Sequence, residues 1–105
     1  MAEKDTEGYT AAFPAADKGQ LAALRALSEL GCPMAEKDNE GRTAAFMAAQ
    51  EGQVEALRAL SELGCPMAEK DNEGRTAAFP AADKGQVEAL RVLSKLGCPM
   101  VQRDK

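Results

Sequence analysis

Apolar positions along the chain recur with two different spacings. In residues 53–63, Ala56, Leu57, Ala59, Leu60 and Leu63 share one arc when each residue advances by about 100°, and Glu55, Arg58 and Glu62 take the opposite arc. This predicts an amphipathic helix between Gly52 and Gly64. Glu55 sits in the first turn, where the helix dipole favours a carboxylate, and the spacing pairs it with Arg58 at i+3 and Arg58 with Glu62 at i+4. Gly64 supplies a left-handed stop, and Pro66 bars continuation. Residues 43–49 predict a shorter, alanine-rich helix whose first amides the Thr43 hydroxyl is placed to cap. Pro14 and Pro80 stand where the middle unit has Met47. Because proline lacks an amide hydrogen, they should loosen the first turn of their helices. Asp38-Asn39-Glu40-Gly41 matches a type I turn, so the loop between helix pairs should project as a finger.

The second spacing is 33 residues. Units 1–33, 34–66 and 67–99 begin MAEKDTEGYTAAF, MAEKDNEGRTAAF and MAEKDNEGRTAAF, and a fourth start occupies 100–105 as MVQRDK. The second and third units differ only at 47/80, 50/83, 51/84, 59/92 and 62/95. Self-similarity at this period predicts a solenoid in which each unit buries its apolar face against its neighbours, giving one domain over 1–105.

The recurring string D-x-x-G-x-T-A-A-F-x-A-A-x-x-G-Q-x-E-A-L-R-x-L-x-x-L-G resembles the ankyrin repeat. The resemblance implies an all-α solenoid of stacked helix-turn-helix units with projecting hairpin-like loops. The departures are specific. Ala44-Ala45-Phe46 stands where the family usually has Pro-Leu-His, trading polarity for a ring of comparable combined volume. Gln53 replaces a common His, Ser61 a common Leu, and Cys65-Pro66 the usual Ala-Asp. Stacking at the family's repeat separation implies that Cys32, Cys65 and Cys98 lie about 10 Å apart, too far for disulfides, which need Cα atoms within roughly 7 Å. They read as small buried thiols, suited to a reducing compartment.

Composition narrows the function classes. The 105 residues are 45% hydrophobic and 29% charged, so a packed core is expected. Lys+Arg 13 against Asp+Glu 17 gives a net charge of −4 with no basic stripe, which argues against nucleic acid. No apolar run is long enough to span a bilayer, so no membrane role is expected and the default location is cytoplasmic. With no histidine and no C-x-x-C, zinc and redox constellations and a Ser-His-Asp triad are excluded, and no cofactor is expected. Nearly every polar residue recurs three times, whereas catalysis needs different groups converging once, so the chain should not be an enzyme. Phe13, Phe46 and Phe79 read as core rather than as a stacking platform for bases.

Recognition of a protein partner remains. In ankyrin proteins the finger tips and short inner helices commonly carry it. The matching positions are Thr6, Glu7, Tyr9, Asp17 and Lys18, then Asn39, Glu40, Arg42, Gln50 and Glu51, then Asn72, Glu73, Arg75, Asp83 and Lys84. Tyr9, Arg42 and Arg75 should line up as a contact row, since Tyr and Arg offer large area or planar donors; the alternative is a solvated row with each Arg paired to a nearby Glu. The ends are only slightly altered, by Ala22 in place of the Glu at position 55, and by Val92, Lys95 and residues 100–105. Open repeat faces should therefore promote head-to-tail self-association. Near-identity of the units also fits a designed or minimal scaffold with no native ligand, while the free cysteines fit a recently duplicated natural array.

Overall fold

The computed structural model describes residues 4, 6 and 8–99. Its helices are α1 (Ala12–Asp17), α2 (Leu21–Glu29), α3 (Ala44–Gln50), α4 (Val54–Glu62), α5 (Ala78–Asp83) and α6 (Val87–Lys95), and no strand occurs among the described residues. Each unit thus contributes one short and one longer helix. A nine-residue helix is too short to persist alone in water, so these helices depend on their neighbours.

Each helix stops where a glycine follows it. After α4, Gly64 adopts φ +99°, its N–H donates to Ser61 O at 3.2 Å, and the Cys65 N–H donates to Leu60 O at 2.8 Å. These are the two bonds of a Schellman cap, which only a left-handed residue closes without strain. Gly52 closes α3 in the same way, with Gln53 donating to Ala48 O at 2.8 Å. The chain is thereby turned directly into the next helix.

The units stack in a row. α1 packs on α3 and α3 on α5, while α2 packs on α4 and α4 on α6. Leu24, Leu57, Leu60 and Leu93 are fully buried among the alanines of the short helices and Met34 and Met67. Ala56, Leu57, Ala59 and Leu60 are buried and Leu63 partly so, as the helical arc requires.

The prolines act as their chemistry demands. α1 and α5 begin one position later in the unit than α3, and the next bonds, Ala15 N–H to Ala11 O and Ala81 N–H to Ala77 O, are long at 3.4 and 3.5 Å. In those two helices the Thr10 and Thr76 hydroxyls accept from Ala12 and Ala78 N–H at 3.3 Å. Thr43 differs from expectation. It is the N-cap residue of α3, but its hydroxyl makes no cap bond and lies beside the Cys65 thiol. The matching thiol of Cys98 donates to Thr76 Oγ1 at 3.4 Å.

Three further expectations are corrected by stacking. Arg58 does pair with Glu55, at 3.8 Å, but Glu62 turns to Arg25 of the preceding unit at 3.5 Å rather than to Arg58. Phe13 and Phe46 are core residues at 2% exposure, whereas Phe79 is 39% exposed. Val92 does not alter the outer end. It is buried at the place of Ala59, on the side turned to the preceding unit.

Candidate functional site

The fingers are built by one aspartate each. Asp38 Oδ1 accepts from the Glu40 and Arg42 amides at 2.9 and 2.8 Å, and Gly41 N–H closes the turn on Asp38 O at 3.0 Å. The backbone closes behind it, Asp38 N–H donating to Arg42 O at 2.8 Å. Its other oxygen takes the Arg42 guanidinium, with Nε and Nη2 both at 2.9 Å. The Asp38 side chain is 1% exposed, so this charge is neutralised where water cannot do it. Arg42 therefore pairs with an aspartate inside its own loop and not with a neighbouring Glu. Partial burial works against its charge. Asp38 first, then Tyr9 and Glu40, outweigh that and raise its pKa above the ordinary value.

Asp71 repeats the loop, accepting from the Glu73 and Arg75 amides at 2.9 Å. The side chains diverge there. Arg75 Nε stands 3.5 Å from Asp71 Oδ2, and its guanidinium lies 4.5 Å from the centre of the Phe79 ring. An arginine over an aromatic face is attracted by the ring quadrupole.

Adjacent fingers are bridged. Asn39 Nδ2 donates to Thr6 O at 2.9 Å, Asn72 Nδ2 to Asn39 O at 3.1 Å, and the Asn72 N–H to Glu40 O at 2.9 Å. Asn39 and Asn72 thus hold the stack together, although both remain exposed at the tips. Lys4 pairs with Glu36 at 2.8 Å and Lys37 with Glu69 at 2.7 Å along the same row.

Of the contact row, Tyr9 and Arg42 meet: Arg42 Nη2 donates to the Tyr9 oxygen at 3.2 Å, and the Tyr9 ring lies 5.0 Å from that of Phe13. Beside them a groove of about 620 Å³ is lined by Lys4, Tyr9, Thr10, Ala11, Phe13, Pro14, Asp17 and Met47. A smaller depression of about 160 Å³ follows between the next units, bounded by Arg42, Met47, Gln50, Arg75, Pro80 and Asp83. Asp17, Gln50 and Asp83 therefore border the inner surface. Lys18, Glu51 and Lys84 are exposed at the ends of the short helices, Glu40 and Glu73 are exposed on the fingers, and Glu7 lies outside the described residues.

Met47 and Pro14 also line this groove, although the sequence marks their column, 14/47/80, only through the effect of proline on the helix. Against this geometry, the family model described as ankyrin repeats (3 copies) matches residues 13–104. A comparison with curated proteins finds no match. Ankyrin repeats are generally protein-interaction modules and typically not catalytic. No helix among the described residues is long and apolar enough to cross a membrane. From its stacked helix pairs, its bridged fingers and a family match running from the first short helix almost to the end, the chain belongs to the ankyrin-repeat family.

Proposed function

We propose that this protein is a non-catalytic binding module that takes a protein partner along the finger tips and the inner short helices. The observation that carries this reading is the 620 Å³ groove in which Tyr9, Pro14 and Met47 present apolar surface beside the polar Asp17. An apolar pocket with a few polar groups on its rim suits an inserted aliphatic or aromatic side chain of a partner. Gln50 and Asp83 extend the polar rim, and Lys18, Glu51 and Lys84 offer charges at its outer edge. Arg42 is committed to Asp38 and Tyr9, so it shapes this surface more than it reaches out from it. Three buried, unpaired thiols support a reducing, cytoplasmic setting.

Peptides selected from a display library against the folded chain provide the test. Binders should lose roughly tenfold or more in affinity with Met47→Glu, while Arg91→Glu on the exposed face of α6 should leave them unchanged, both variants melting as the parent does. Binders indifferent to Met47→Glu but abolished by Arg91→Glu would place recognition on the other face. The near-identity of the second and third units favours a second reading, a minimal repeat scaffold with no native ligand. It predicts that selection returns nothing above background.

A further inference from the structure

Two of the positions at which the second and third units differ meet at one place. Ala59 and Glu62 of α4 become Val92 and Lys95 of α6, and Val92 and Lys95 both line a shallow depression of about 450 Å³ together with Arg58, Glu88, Arg91 and Ser94. The depression crosses the joint at which α6 packs on α4, so the second and third units both contribute to it. None of its residues borders the inner groove or the smaller depression beside it.

The change at 62/95 reverses the electrostatics of the joint. Between the first and second units Arg25 meets the Glu62 carboxylate at 3.5 Å. One unit on, the same register sets Lys95 opposite Arg58, and Arg91 stands four residues before Lys95 on the same helix. All three cations are exposed. Arg58 reaches the Glu55 carboxylate at 3.8 Å, but the Glu55 side chain is 71% exposed, so water and salt weaken that pair. Glu88 is the carboxylate among the lining residues. At the first joint Arg25 and Arg58 are balanced by Glu55 and Glu62, whereas at the second Arg58, Arg91 and Lys95 exceed Glu55 and Glu88 by one. The C-terminal dipole of α6 opposes an anion there with the equivalent of roughly half a charge, which the surplus cation outweighs. Ser94 adds an exposed hydroxyl, and Val92, 3% exposed, gives an apolar floor for the methylenes of an incoming side chain.

We propose that this depression is a second recognition site, which takes a carboxylate side chain from an acidic segment of a protein partner into the place that Glu62 fills at the first joint. Arg58 and Arg91 offer planar, paired donors, and Lys95 a point charge between like charges that an anion relieves. The chain carries a net charge of −4, which repels acidic peptides in general, so attraction has to come from this local surplus. The site does not depend on the groove's partner, since Met47→Glu and Lys95→Glu each act on one of the two.

Fluorophore-labelled hexaglutamate, titrated with the chain at low salt and followed by anisotropy, tests it. The parent should bind the peptide at a single site, and binding should weaken as salt rises. Lys95→Glu, an exposed change that restores the carboxylate of the first joint, should weaken binding roughly tenfold or more while melting no lower than the parent. Glu62→Lys builds the same set of charges at the first joint and should add a second site. Met47→Glu should leave hexaglutamate bound. A parent that does not bind at low salt, binding that survives Lys95→Glu, or release by Met47→Glu would each overturn the proposal. So would a chain that takes inorganic phosphate or a phosphoserine peptide at Lys95 but not hexaglutamate, since the occupant would then be a phosphate and not a carboxylate.

Discussion

Gln53 reaches back across the first joint, donating from Nε2 to the Asp17 carbonyl at 3.1 Å and covering Gly19 with its carboxamide. Gln86 does the same to Gln50 O at 3.0 Å over Gly52. Gly52 at φ +68° and Gly85 at φ +70° share one backbone conformation, but only Gly52 has a side chain above it. Alanine at either site meets the left-handed penalty, about 1–2 kcal/mol. Gly52→Ala must in addition displace Gln86. Urea unfolding should therefore show Gly52→Ala as the more destabilising of the two, and equal losses would mean that the glutamine bridge adds nothing.

Asp38→Ala should lower stability by about 2–4 kcal/mol, since it leaves two loop amides without acceptors and strands the Arg42 charge. Asp71→Ala should lower it less. Arg75 is held by the Phe79 ring and by a looser ion pair at 3.5 Å, so less is lost with the carboxylate. Denaturant midpoints for the two variants give the comparison. A larger loss at Asp71 would contradict the geometry of the fingers.

Phe46→Ala empties a site that is sealed from water and should lose about 3–5 kcal/mol. The identical change at Phe79, which is 39% exposed, should lose well under half as much. Thermal melts of the two variants would detect the difference.

Burial pushes the Cys65 thiol up, with the Thr43 hydroxyl and the Ala45 backbone partly offsetting it. A raised folded pKa means that the folded state holds the proton more tightly than the unfolded chain. The resulting stability is fully present below the ordinary thiol value of about 8.5 and is lost as pH rises through the raised folded value. Stability should therefore fall in the alkaline range, and Cys65→Ala should flatten that part of the profile. Thiol reagents at neutral pH should react with Cys65 only as fast as the protein opens.

Much of the fold could be read within one unit. The helical arc of Ala56, Leu57, Ala59 and Leu60, the stops at Gly52 and Gly64, the Asp38 turn and the loosening by Pro14 and Pro80 all rest on groups fewer than ten residues apart. Backbone sterics and local hydrogen bonds decide such features. The candidate site was less legible. The repeat register places Arg42 beside Tyr9, but its tight hold on Asp38 depends on how deeply that carboxylate is buried, which no local pattern reports. Met47 reads as one more helical residue until the neighbouring unit places Pro14 and Tyr9 beside it.

The amino-acid sequence by itself determined the repeating unit, its two helices and its glycine stops, because each of these follows from short-range sterics and periodicity. The tertiary structure alone decided which chemically equivalent copies behave differently. Glu62 crosses to Arg25 instead of bonding along its own helix, and Phe79 meets water while Phe46 does not. Identical residues differ there in what lies against them from a neighbouring unit, and that is settled by stacking.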